Sequence, residues 1–224
     1  MGLDMYLNRM PRYRGATAED VSAVESYLDY IAEKEKGSEY AQCTFEEWCG
    51  IKEFPPQKYI DFYSQFYEKR YSSWDTEKKY GFARIMEQVG YWRKSNSVHN
   101  WFVENIQDGV DDCNYHREVT EDDLEKLLDI CTKVYESCTM MLGTVKNGQT
   151  CTDNGWVDNI ELGKVVIDIS VAEELLPTTP GFFFGNTDYN EWYVEDIEDT
   201  IEIIQRVLET TDFDTQMVYY VSSW

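Results

Sequence analysis

Between positions 91 and 102 the chain reads Tyr-Trp-Arg-Lys-Ser-Asn-Ser-Val-His-Asn-Trp-Phe. Arg93 and Lys94 stand just before a helix predicted to start at Ser95. Free backbone N–H groups and the helix dipole favour an anion at such a start. An arginine fork can grip a phosphate through two hydrogen bonds at once. Tyr91 and Trp92 offer ring faces on which a base could stack, and Asn96 and His99 offer polar groups that could read its edges. Those are the parts of a nucleotide site. The competing reading is an exposed Arg-Lys pair beside core aromatics, and spacing alone does not separate the two.

A second segment, Gly181-Phe182-Phe183-Phe184-Gly185, places three rings between glycines. Phe183 at its centre is the candidate ring of a ligand wall or lid; the plainer alternative is a short buried strand with turn glycines. The glycine spacing is not that of a dinucleotide-binding turn. Cys113 and His116 have a metal-like spacing, but a structural zinc site needs four ligands and no second pair is spaced to complete it. Asp108, Asp111 and Asp112 could ligate magnesium or form a solvated turn. No metal, cofactor or catalytic residue is assigned. A Cys113 nucleophile has only His99 or His116 as a conceivable base, so an enzyme is less favoured than a binder.

Charge narrows the partners. The 224 residues carry a formal −23. It is unevenly spread: residues 1–94 hold 14 Lys and Arg against 16 Asp and Glu, whereas residues 95–224 hold six against 27. A polyanion does not bind nucleic acid directly, since phosphate contact needs a basic footprint. It could occupy a basic surface on another protein, or simply be well solvated. There is no run of about 18 apolar residues, so no membrane segment is expected. The start, Met-Gly-Leu-Asp-Met-Tyr, lacks the basic and apolar regions of a signal peptide, and Tyr6 stands where a myristoylation signal wants Ser or Thr. A cytoplasmic location with reduced cysteines follows as the expectation.

The elements that must position these groups are legible from periodicity and caps. Leu3, Met5 and Leu7 alternate as a half-buried strand. Helices are predicted over 18–36 behind Thr17, a short one behind the Thr44/Glu47 capping box, another after Pro56, one from Ser95, one over 121–141 behind Thr120, and one over 190–209. Strands are predicted over 82–92, 182–184 and 217–221, with 165–169 a further candidate. Residues 143–159, with Asn147-Gly148 and Asn154-Gly155, read as loop. The order is mixed rather than alternating, so the fold class is α+β: a mixed sheet with packed helices and an inserted helical subdomain. The core would comprise 1–14 and 81–224, and the aromatic-rich insertion 15–80. The insertion's aromatic surface leaves room for a homo-oligomer contact.

Three stretches together resemble an uncharacterised protein family of bacteriophages and prophages. They are the opening Met1-Gly2-Leu3-Asp4-Met5-Tyr6-Leu7; Tyr91 to Phe102, continued through Gln107-Asp108-Gly109 and Asp111-Asp112-Cys113; and Leu175-Leu176-Pro177-Thr178 followed by Gly181 to Tyr189. The resemblance covers about half the chain and carries no established activity. It implies a phage accessory gene acting in the infected host's cytoplasm, and by that context a counter-defence factor. Joined to the 91–102 cluster, it leads to the expectation of a protein that sequesters a small phosphorylated, nucleotide-derived signal. The alternative is an acidic inhibitor covering a basic or DNA-binding surface of a host defence protein.

Overall fold

The computed structural model describes residues 2–71, 81–113, 117–153, 155–181 and 184–224. In chain order its strands and helices are β1 (Asp4–Pro11), α1 (Ala18–Glu35), α2 (Phe45–Cys49), α3 (Gln57–Tyr63), β2 (Glu68–Tyr71), β3 (Gly81–Arg84), β4 (Glu87–Arg93), α4 (Asn96–Asn105), β5 (Glu118–Val119), α5 (Glu121–Ser137), β6 (Met140–Thr152), β7 (Gly155–Val166), α6 (Ser170–Leu175), α7 (Glu191–Thr210) and β8 (Gln216–Ser223). The chain is α+β, as its pattern implies, and its sheets are antiparallel. One sheet has four strands in the order β4-β1-β8-β5; β2 pairs with β3, and β6 with β7. No helix among the described residues is long and apolar enough to cross a membrane.

The chain forms two compact units. The first comprises Met1–Leu7, Gln88–Thr211 and Val218–Trp224, and the second Asn8–Glu87 and Asp212–Met217. The expected 15–80 insertion lies within the sequence span of the second.

In the first unit α7 supplies Ile197, Ile204 and Val207 to the core, all fully buried, and α5 supplies Leu124, Leu127, Cys131 and Val134. Both helices start at well-made caps. Thr120 and Asp123 form a capping box, and the Asn190 side chain accepts from the Trp192 and Tyr193 N–H groups. Strand and helix meet most closely at Gly90 of β4. A Cβ there would lie 2.8 Å from Ile203 Cγ2 and 3.3 Å from Leu7 Cβ. Trp92 continues the contact, its Nε1 donating to Thr200 Oγ1 at 2.9 Å.

In the second unit α1 buries Val21, Val24 and Tyr30. Its buried Glu25 carboxylate accepts from the N–H of Ile85 and of Met86, the latter at 2.8 Å. Those two contacts fall where the sequence suggests a continuous strand over 82–92. The chain instead breaks into β3 and β4 there, because the Ile85 and Met86 amides bond to a carboxylate rather than to a neighbouring strand. Tyr63 and Tyr59 are buried with their hydroxyls on the carbonyls of Pro11 and Gly15. Among the described residues of this unit Tyr30, Phe45, Tyr59 and Tyr63 are buried, Tyr13, Tyr27, Trp48, Phe62 and Tyr67 are half-buried, and Phe54 and Phe66 are exposed.

The largest departure from the sequence reading is 143–159. Instead of a loop it forms most of a long hairpin, β6 and β7 pairing from Met140↔Val166 to Thr152↔Gly155. The Asn147-Gly148 turn signal is absorbed as a bulge between Lys146 and Gln149, Gly148 supplying a φ of 76°. Only the signal at Asn154-Gly155 marks the reversal; Asn154 lies outside the described residues. Ser95 is a smaller correction: it holds the N-cap position of α4 but makes no side-chain cap.

Ile204→Ala should cost about 2–5 kcal/mol by removing fully enclosed side-chain volume. Asp122→Asn, at an exposed first-turn position of α5, should change stability by no more than about 1 kcal/mol. Urea unfolding of both variants checks the contrast.

Candidate functional site

The first unit contains a cavity of about 420 Å³ lined by His99, Asn100, Val103, Asp111, Thr179, Pro180, Gly181, Phe184 and Trp224. Its volume falls in the usual range for small-molecule sites. Helix α4 supplies one wall and the 179–184 segment another, and the two are joined by one buried side chain. Asn96 donates through Nδ2 to the carbonyls of Phe184 (3.1 Å) and Asn186 (2.8 Å), and its Oδ1 accepts from the Thr179 N–H at 2.8 Å.

At the inner end His99 is 1% exposed. Its Nδ1 lies 2.7 Å from the Tyr220 hydroxyl and its Nε2 3.2 Å from Asp111 Oδ1. The Nε2–Asp111 contact is in ion-pair range but off the line of a good hydrogen bond. Trp224 Nε1 donates to the same Asp111 oxygen at 3.1 Å. The Phe184 ring stands edge-on to the His99 imidazole at 4.9 Å and to the Trp224 ring at 6.3 Å.

Protonation follows from this packing. Burial lowers the His99 pKa, against the opposing pull of the Asp111 charge. Burial, reinforced by Asp111, pushes Tyr220 well above the usual phenol range. Tyr220 stays a phenol, and because the Asp111 carboxylate can only accept, the imidazole proton belongs on Nε2, which leaves Nδ1 to accept from the Tyr220 hydroxyl. Nδ1 is occupied by Tyr220, while Nε2 faces Asp111 without a well-aligned hydrogen bond, so His99 fixes the cavity end.

The residues singled out by sequence separate into two groups. Trp92 is 3% exposed, with Phe102 beside its ring at 6.0 Å. It is a core side chain, and its faces are not available to a ligand. Asn96 is likewise buried, with its hydrogen-bonding capacity turned to the 179–186 backbone, so it shapes the site instead of reading a base. His99 lines the cavity. Tyr91 is 42% exposed, its hydroxyl donating to Asp4 Oδ1 at 2.6 Å. Arg93 is exposed and only loosely tied to the same carboxylate, at 3.3 Å. Lys94 is exposed and left-handed at φ 62°, and its side chain packs along Gly185. Phe183 lies outside the described residues, as does His116.

Arg93 and Lys94 do not line the cavity, whereas Thr179 and Trp224, to which the spacing gives no special role, do, as does Asp111. Asp111 could be found only as one of three carboxylates in a turn. Asp108, read with it as a possible magnesium ligand, turns instead to Arg117. Among the described residues no group of three His, Cys, Asp or Glu is placed to hold a metal ion. No protein-family model, curated protein or solved structure matches the chain.

An imidazole whose folded pKa lies below its unfolded value takes up a proton on unfolding. Its contribution to stability is fully present above about pH 6.5 and is lost as pH falls through the folded value. Wild-type stability should therefore decline between about pH 7 and pH 5 more steeply than that of His99→Gln. Urea unfolding across that range, run on both proteins, checks the slope difference.

Proposed function

We propose that the protein is a non-catalytic binder of a small nucleotide-derived ligand, held with its base in the cavity beside His99. The observation that carries this reading is the cavity itself: aromatic surface from Phe184 and Trp224 beside a fixed acceptor, Asp111, and the amide of Asn100. Aromatic walls with a few placed polar groups suit a flat heterocycle bearing an amino group. Among the described residues no lysine or arginine lines the cavity, so a phosphate belongs outside it. Lys94 packs on Gly185, the residue after the cavity-lining Phe184, and Arg93 precedes it. A phosphorylated end leaving the cavity past this segment would meet both. Sequestration rather than turnover fits a His99 that is almost wholly buried with its Nδ1 on the Tyr220 hydroxyl. Together with the resemblance to phage proteins, this describes a counter-defence factor that lowers the free concentration of a host signal.

A second reading rests on a separate observation. Helices α5 and α7 carry exposed acids along both, among them Glu121, Asp122, Glu125, Glu195, Glu198 and Glu202. Such a surface suits a basic patch on a host protein, and that binding would weaken steeply with salt.

The deciding experiment is to incubate the protein with a panel of cyclic and linear nucleotides, release bound ligand by heat and identify it by mass spectrometry. Phe184→Ala should weaken capture by about 1–3 kcal/mol, the worth of one stacked base. Arg93→Ala should weaken phosphorylated ligands but not the matching nucleoside. Absence of any binding tighter than millimolar would falsify the proposal.

A further inference from the structure

The β6–β7 hairpin leaves a great deal of apolar surface uncovered. Side chains alternate between its two faces. On one face Val145 is 2% exposed and lies against Gly163, where an added Cβ would come within 2.5 Å of Val145 Cγ2. The other face carries Leu142 (76% exposed), Leu162 (82%), Ile160 (60%) and, further out, Trp156 (69%). Exposed apolar side chains contiguous on one regular strand face are unusual for a surface that meets only water.

The charges on this face are arranged about its centre. Along β7 the outward residues run Asp158, Ile160, Leu162, Lys164. Laid antiparallel on a copy of itself about the midpoint between Ile160 and Leu162, the strand sets Asp158 against Lys164, Ile160 against Leu162, and the reverse. The series is self-complementary, which a two-fold contact between identical surfaces requires. Asp158 already receives Lys146 at 2.8 Å within its own hairpin and is still 44% exposed, so its carboxylate remains accessible to a second cation. Glu161, at the midpoint, points to the opposite face, where it accepts from Asn147 Nδ2 at 2.7 Å, so its two copies are kept out of the contact.

Net charge favours the same place. Residues 140–166 hold two lysines against three acids, a net −1, whereas the rest of 95–224 holds a net −20. Two copies repel through the acidic remainder of 95–224, and the hairpin carries little of that charge.

We propose that two copies of the chain associate through this hairpin face, β7 packed antiparallel on β7 of the other copy. Four large uncovered apolar side chains make a small patch beside the roughly 800 Å² per partner that a standard specific interface buries. The dimer is therefore concentration-dependent rather than permanent.

Sedimentation equilibrium of the intact protein, from low micromolar to submillimolar, tests this. Wild type should show a monomer–dimer equilibrium. Asp158→Lys and Lys164→Asp should each weaken self-association about tenfold, because each sets like charges across the two-fold. An equimolar mixture of the two variants should restore association, since the mixed pair has opposite charges at both ends. Leu162→Asp should remove association with an unchanged unfolding curve, its side chain being exposed in the monomer. A wild type that stays monomeric throughout, or a mixture no tighter than its components, overturns the proposal.

Discussion

The Asn96 carboxamide is the interaction on which the candidate site depends. It is buried at the first turn of α4 and spends its donors and its acceptor on three backbone groups of one segment: the Phe184 and Asn186 carbonyls and the Thr179 N–H. These groups lie in an irregular stretch that has no strand partner to bond them. Leaving a buried polar group unpaired costs about 1–3 kcal/mol. The segment is therefore held where Asn96 reaches, and the cavity-lining Thr179 and Phe184 are held with it. His99 follows one turn along α4 from Asn96, so the same helix end fixes both the cavity wall and the polar group at its inner end.

Around that centre the electrostatics run against the protein's composition. The first unit is strongly acidic, and like charges crowd one another even inside α7, where burial together with Asp199 and Glu195 raises the Asp196 pKa to about 7. The neighbouring Ser95 hydroxyl opposes that rise without reversing it. Some of its positive side chains are nonetheless exposed and weakly paired. Arg93 is such a group, its only described carboxylate contact a 3.3 Å approach to Asp4. Lys94 adjoins it in a left-handed conformation that a β-strand running straight into a helix does not need. The backbone there turns so that the Lys94 N–H still reaches the Leu3 carbonyl at 2.8 Å.

Much of the fold was legible because its signals are local. Thr17, Thr44 and Thr120 each cap the helix expected behind them, and the apolar residues buried on α5 and α7 fall at helical spacing. The hairpin was not legible, because its cues point the wrong way. Gly143, Gly148 and Gly155 look like loop punctuation, yet Gly143 and Gly163 are small because Val165 and Val145 lie over them, and Gly148 serves a bulge. The site was half legible. The 91–102 wording locates α4 and His99, but burial decides which side chains face a ligand. Trp92 and Asn96 turn inward, Tyr220 reaches His99 across 121 positions and Trp224 reaches Asp111 across 113, while Asp111 itself lies in a turn that periodicity does not describe.

The hairpin and the cavity are not independent features of the first unit. Asn186, whose carbonyl accepts from Asn96, donates through its own Nδ2 to the Lys146 carbonyl at 3.2 Å. Lys146 sits at the edge of the bulge, where the regular ladder of β6 is interrupted. The base of β7 is tied to the same region on its other side, by the Val166 N–H to the Tyr189 carbonyl at 3.0 Å and by the bridge from Val165 to Asn190, the cap of α7. The 184–190 stretch thus borders the cavity at one end and anchors the hairpin at the other. A shift of Phe184 large enough to open the cavity has to be absorbed within a few residues, by Gly185 at its φ of 87° or by the Asn186 contacts. Gly185 is the residue able to absorb it without strain. Because an added Cβ there would lie 3.2 Å from Lys94 Cβ, the same glycine also sets how closely the cation can approach the cavity wall.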